Sequence, residues 1–220
     1  MSKSKILLGI FLIASLGDLV SILSQFDVRY FFKPLIIPAL IGYYFQETSS
    51  RNFTFVRALM FCWVGDFVLL FDGNIYFMAG LCAFLIGHLF FIFSFRQLVW
   101  EKESTLLPTQ RVRYTFPILL AGTGLMVILY PVLGDLRMPV MIYSIVLMLM
   151  VSYALFRLTR TSKRSFTLVF IGAVTFMLSD SLLAIDKFYT SFFMASFLVM
   201  ITYVTAQFMI VRGVLMHKTA

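Results

Sequence analysis

With only two cysteines and two histidines in 220 residues, there is little from which to build a disulfide scaffold or a histidine-ligated metal centre. Cys62 and Cys82 show no C-x-x-C or other metal spacing, and both fall inside apolar stretches, where they read as buried free thiols. Charge is scarce too: 13% of residues are charged, and only 10 are acidic. Against these shortages stand 61% hydrophobic residues and 26 Phe, a composition that excludes a soluble globule with a polar surface. The chain reads as an integral membrane protein with no room for a soluble domain. Lys3 and Lys5 precede an apolar run, but that run has no small-residue cleavage site and continues through Asp18 and Leu23, so it reads as a first helix rather than a signal peptide.

A spanning helix needs about 20 mostly apolar residues. Eight stretches qualify, near 6–24, 31–46, 54–71, 77–97, 114–133, 138–156, 166–184 and 192–212. Asp72-Gly73-Asn74 separates the third from the fourth, and Gly134-Asp135 followed by Pro139 separates the fifth from the sixth. The runs are continuous rather than alternating, which favours helices over a β-barrel. The expected fold is all-α, a polytopic bundle of about eight transmembrane helices in a single integral membrane domain over 1–220. The second stretch is short and contains Lys33, Pro34 and Pro38, so it is expected to be tilted, kinked or only partly spanning.

Basic residues collect on cytoplasmic loops. With the N-terminus inside, the inner segments hold Lys3, Lys5, Arg51, Arg57, Arg96, Lys102, Arg111, Arg113, Arg157, Arg160, Lys163, Arg164, Arg212 and Lys218. The outer ones hold Arg29, Lys33, Arg137 and Lys187. That is 14 against 4 of the 18 basic residues, and it predicts eight spans with both termini cytoplasmic. The net charge of +8 is therefore a topology signal matched by anionic headgroups, with no nucleic-acid partner implied.

Asp18, Asp66 and Asp180 each lie within an apolar helix, where a carboxylate costs roughly 2.5 to 3.5 kcal/mol on insertion scales and marks a lined cavity, a proton site or a pairing partner. In the predicted topology all three fall four to six residues before the outer helix end, about 6 to 9 Å deep. Asp66 and Asp72 recur as Asp180 and Asp186 with Leu69 matched by Leu183, an offset of 114 that would map the first four spans onto the last four. Lys33, His88, Tyr143, Tyr203 and Gln207 are the other polar side chains in the spans. Each also has a plainer role: Lys33 as a snorkelling cation, His88 in packing, the tyrosines in an interfacial belt, and the aspartates in interhelical hydrogen bonds. Asp72, Asp135 and Asp186 read as solvated loop acids.

Several of these pieces together resemble the YhhN family of membrane proteins, whose animal members are lysoplasmalogenases. They are Lys33-Pro34-Leu35, Gly65-Asp66 with Leu69, Gly80 to Phe84 followed by His88, Tyr143 with its Leu and Met run, Gly172-Ala173 through Phe176 to Ser179-Asp180, and Tyr203 with Ala206-Gln207. Cys62 and Trp63 depart from the small or aliphatic residues expected before Gly65. The resemblance implies hydrolysis of the vinyl ether of a lysoplasmalogen to a fatty aldehyde and glycerophosphoethanolamine or glycerophosphocholine. Such chemistry suits paired carboxyls, one as acid and one as carboxylate, for which Asp66 and Asp180 are the candidates. Lys33 is then a candidate phosphate contact, and His88, Tyr143, Tyr203, Gln207 and Asp18 are supporting residues. No metal or cofactor is implied, and the partners are a lysophospholipid substrate and membrane lipid. Two other classes compete. A zinc hydrolase like the alkaline ceramidases would need several His ligands, yet only His88 lies in a span. A proton- or cation-coupled transporter would use the same aspartates. The expected compartment is a bacterial cytoplasmic membrane, and the oligomeric state is not encoded in any motif.

Overall fold

The computed structural model describes residues 2–24, 28–100 and 106–217. Lys102 and Lys218, both counted above as cytoplasmic charges, lie outside the described residues. Every regular element among the described residues is helical: α1 (Lys3–Ser24), α2 (Arg29–Glu47), α3 (Phe53–Val68), α4 (Asn74–Gln97), α5 (Pro108–Leu129), α6 (Arg137–Leu155), α7 (Lys163–Ala184) and α8 (Ala195–Leu215). Two 3₁₀ turns, Tyr130–Val132 and Gly134–Leu136, join α5 to α6, and a π-helical turn, Ile185–Tyr189, extends α7.

The helices reach beyond the apolar runs wherever a polar residue can cap them. The Asn52 side chain accepts from Phe55 N–H at 2.8 Å and opens α3, and Ser162 accepts from Ser165 N–H at 3.2 Å to open α7. Pro108 takes the first position of α5, where its missing N–H costs nothing. α3 ends early instead, at Val68, because Leu69 to Asp72 turn toward Gly73, whose φ of 124° suits glycine alone.

Among the described residues six helices are long and apolar enough to cross a membrane, namely α1 and α4 through α8 with their flanking turns. α2 and α3 fall short. The 16 residues of α3 rise only about 24 Å against a core of about 30 Å, and α2 carries Arg29, Lys33 and two internal prolines. Outward-facing apolar side chains fit lipid contact: Ile13 is 66% exposed, Phe31 67% and Val127 73%. Cys62 is buried as expected, but Cys82 is exposed; Cys62 packs where Gly87 lets α3 and α4 approach, and Cys82 sits on the outer side of α4.

The chain divides into two compact units, Met1–Ser94 and Phe95–Ala220. In the first, Ile36, Ile37, Leu40, Leu59 and Phe91 are fully buried, and Tyr44, Phe55 and Phe91 form a run of ring contacts at 5.2 and 5.8 Å. In the second, small residues let α7 and α8 pack closely, with Ala173 and Ala206 fully buried beside Val169 and Ile210.

One end of the second unit is tied by Arg157, which the charge count places in a loop and the structure buries completely. Its Nε donates to Leu98 O at 3.2 Å and its Nη2 to Ser165 Oγ at 2.9 Å, and Ser165 Oγ donates in turn to Gly213 O at 2.7 Å. Burial pulls the guanidinium down to about 10, so it stays cationic at neutral pH. The end of α4 and the ends of α6, α7 and α8 thus converge on one side chain.

Candidate active site

Most of the polar side chains singled out in the sequence are buried, in two clusters, one per unit. In the first unit Asp18 is fully buried on α1 and accepts from Arg29 Nε at 3.3 Å, at the first residue of α2. Its second oxygen has no hydrogen-bond partner among the described residues. Lys33 follows Arg29 by one turn, so both cations share a face of α2. It is 7% exposed and lies within Coulombic range of Asp66 and Asp18, which excludes a lysine snorkelling to the interface. Asp66, 3% exposed, sits two residues before the end of α3, closer to the helix end than the apolar run suggested. Two carboxyls and two cations therefore neighbour one another in a layer where an isolated charge would be costly.

Trp63 explains how α2 is held there. Pro38 has no N–H, so the carbonyl four residues back, at Pro34, loses its helical donor. The Trp63 indole Nε1 fills the vacancy, donating to Pro34 O at 2.9 Å. Trp63 and Asp66 are three residues apart and share a face of α3, as Lys33 and Pro34 are neighbours on α2. The indole bond thus fixes the stretch of α2 that carries Lys33 against the stretch of α3 that carries Asp66. Tyr30 adds a second tie, from its hydroxyl to Leu70 O at 3.2 Å.

Glycines beside the acids make room for rings. A Cβ on Gly17 would lie 2.7 Å from the Phe32 ring, and one on Gly65 2.6 Å from the Phe84 ring. In each Gly-Asp pair, the glycine admits an aromatic from a neighbouring helix and the aspartate follows on the adjacent face. His88 is fully buried on α4 of the same unit.

In the second unit Tyr143, on α6, donates its hydroxyl to Asp180 Oδ2 at 2.5 Å, on α7. The bond ties α6 to α7 through a phenol and a carboxyl. Asp180 is half-buried, four residues before the end of α7, and the π-helical turn continues past it. Ser179 donates to Val199 O of α8 at 2.8 Å, which holds α8 beside this turn of α7. One turn earlier on the same face, the Phe176 ring meets Tyr203 edge-on at 5.5 Å. Gln207 Nε2 donates to the Tyr203 hydroxyl at 3.3 Å, while its carbonyl oxygen, fully buried, has no partner among the described residues. Tyr143 with Asp180 forms one pair, and Phe176, Tyr203 and Gln207 form a second set, with Phe176 one turn before Asp180 on α7. The loop acids separate from this group: Asp72 and Asp135 are exposed, and Asp186, in the π-helical turn, accepts from Ser191 Oγ just beyond it at 3.0 Å.

Arg29, Trp63, Phe176 and Ser179 are the contributors that sequence reasoning passed over as site residues. Arg29 stands four residues before Lys33, a spacing that puts both on one face, and the Pro34–Pro38 pair announces an orphaned carbonyl. Both signals are visible in the sequence.

A family model described as the YhhN family matches residues 28–214. The chain belongs to the YhhN family. The matched segment contains every residue of the two clusters except Gly17 and Asp18. Two relatives, each named Lysoplasmalogenase, one from Mycobacterium bovis and one from Mycobacterium tuberculosis, are 33% identical to this YhhN protein over 136 residues, or 60% of this chain and 49% of each relative. The chain spans about half the length of the curated relatives it matches. No solved structure matches it.

Proposed function

We propose that this YhhN protein is a membrane-embedded lipid hydrolase acting on the vinyl ether of lysoplasmalogens. The observation that carries the proposal is the pairing of the relatives' name with two acids, Asp66 and Asp180, set in otherwise apolar helices and each supplied with polar company. The reaction consumes one water. A carboxylic acid delivers its proton to the β-carbon of the vinyl ether, leaving an oxocarbenium ion at the α-carbon. Water adds to that carbon while the second carboxylate takes its proton. The resulting hemiacetal breaks its bond to the glycerol oxygen, which leaves protonated, and the fatty aldehyde is released. An acid and a carboxylate suffice for each step.

In this scheme Asp66 and Asp180 are the pair. The Tyr143 hydroxyl orients Asp180 at a fixed oxygen, and Lys33 balances the charge of the Asp66 layer. Asp18, held by Arg29, completes that balance, and Tyr203 with Gln207 offers a polar edge to water or to a headgroup. His88 is a supporting residue on α4. The lysophospholipid headgroup would be glycerophosphoethanolamine or glycerophosphocholine, and the compartment a bacterial cytoplasmic membrane. Eight crossings with both ends cytoplasmic would follow if α2 and α3 complete their passage with polar ends at the interface.

The test is aldehyde release from a lysoplasmalogen by the detergent-purified protein, beside Asp66→Asn and Asp180→Asn and with a chelator present. Turnover that persists with chelator and is lost in both variants is the expected result. Full activity in either variant would remove that residue from the mechanism. A second reading, proton- or cation-coupled transport, is favoured by the layer of Asp18, Arg29, Lys33 and Asp66, in which one Asp18 oxygen has no partner among the described residues. Ion flux in liposomes without aldehyde release would select it.

A further inference from the structure

α5 is the least covered of the candidate spans, with 17% of its most apolar window buried. A groove of about 270 Å³ runs along it, lined by Arg111, Val112, Thr115, Phe116 and Leu119, with Phe156 just beyond the end of α6 forming the opposite wall. Its apolar walls are already suited to a lipid chain. Two polar features set it apart from an ordinary lipid-facing seam.

The first is Arg111, whose guanidinium lies over the Phe156 ring at 5.9 Å and so stands at one end of the groove. Arg113 follows two residues later, stacked on Tyr114 at 5.1 Å. α5 contains no Asp or Glu, so this end of the helix carries two positive charges with no acid on the same helix. The second is Thr115. Other threonines in these helices fold their hydroxyls back onto the carbonyl four residues earlier: Thr123 on Leu119, Thr167 on Lys163, Thr175 on Ile171 and Thr202 on Leu198. Thr115 Oγ1 is buried and has no hydrogen-bond partner among the described residues.

Arg111, Thr115 and Leu119 are spaced four apart and form one stripe, with about 6 Å of rise per step. The order along the stripe is cation, free hydroxyl, apolar wall. A glycerophospholipid presents its phosphate, its ester carbonyls and its acyl chains in the same order, with the glycerol setting a comparable step between the first two. We propose that this groove is a binding site for an anionic diacyl glycerophospholipid of the surrounding leaflet, with the phosphate on Arg111, an ester carbonyl accepting from Thr115 and one acyl chain lying between Leu119, Phe116 and Phe156. The positive charge of Arg111 at the mouth of the groove makes the site select anionic over zwitterionic headgroups, and the selection is about fivefold for one basic residue near a charged headgroup.

The test is native mass spectrometry of the full chain in mild detergent, titrated with phosphatidylglycerol or with phosphatidylcholine of the same acyl composition. The wild type retains one phosphatidylglycerol with about fivefold preference. Arg111→Gln loses that preference, Thr115→Val weakens retention of both lipids, and Leu119→Trp, which fills the groove, displaces both. Arg164→Gln, an exposed cation outside the groove, binds like the wild type. All variants are compared as material eluting at the wild-type volume, so a misfolded protein is not scored. Equal retention of the two lipids by the wild type would overturn the proposal, as would an Arg164→Gln loss matching that of Arg111→Gln. Preferential capture of a lysophospholipid with the same Arg111 dependence would also overturn it, making the groove an entry site for substrate.

Discussion

Replacing Trp63 by Phe keeps most of the ring and removes one hydrogen bond. The indole donates at 2.9 Å to Pro34 O, a carbonyl that has no helical donor because residue 38 is proline. A typical net bond is worth about 0.5 to 1.5 kcal/mol, and stranding a buried acceptor costs about 1 to 3 kcal/mol. Polar contacts between membrane helices average nearer 0.6 kcal/mol. Both partners are half-buried, so water or headgroups recover part of the loss, and the expected cost is about 1 kcal/mol. The decisive comparison is a cycle with Pro38→Ala. Alanine restores an N–H four residues after Pro34, so the carbonyl regains its helical partner and the indole bond becomes redundant. In that background Trp63→Phe is expected to cost less than about 0.5 kcal/mol. Unfolding equilibria in mixed micelles, measured for the four proteins, give the coupling directly. Equal losses in both backgrounds would refute the argument that the proline creates the need for the indole.

Arg29→Gln should destabilise more than Asp18→Asn, because it leaves a fully buried carboxylate without its cation; the double variant should recover part of the loss, and a cycle of the same kind measures it. Gly65→Ala should cost about 1 to 3 kcal/mol through overpacking against Phe84, whereas Gly9→Ala, with nothing within 4 Å, should be near neutral, and thermal unfolding separates the two. His217 hydrogen-bonds Thr161 Oγ1 at 2.8 Å, and burial and then the Arg157 charge lower its pKa from the ordinary 6.5. The unfolded chain therefore binds this proton more readily, so its contribution to stability is complete above about pH 6.5 and is lost as the pH falls through the lowered folded value. Thermal melts from pH 8 to pH 5 should show a decline that His217→Gln removes.

The all-helical class was legible because the apolar runs are continuous and interrupted by strong turn signals, and Gly73 marks an end that sterics alone dictate. The ends themselves depend on caps such as Asn52 and Ser162, which lie outside the apolar runs, so hydropathy places them a few residues off. Burial of Asp66 was legible from cost, since a carboxylate in such a helix needs company. The identity of that company was not. Arg29 looks like a loop charge until α2 is seen to begin there, and Arg157 looks like a topology signal until the ends of four helices close around it. Tyr143 and Asp180 were each singled out, yet their bond joins positions 37 residues apart, and no local pattern encodes that pairing. Trp63 appeared as a departure from the expected small residue, and the structure gives the departure a reason in the proline pair of the neighbouring helix.

The central claim is proton delivery to carbon by an intramembrane carboxyl, and it is tested most directly by running the lysoplasmalogen reaction in D₂O and locating the label by mass spectrometry. Protonation of the vinyl β-carbon predicts one deuterium on the carbon next to the aldehyde carbonyl for the wild type, with product formation lost in Asp66→Asn and Asp180→Asn. Aldehyde formed without that deuterium, or formed at the wild-type rate by either variant, would contradict the account.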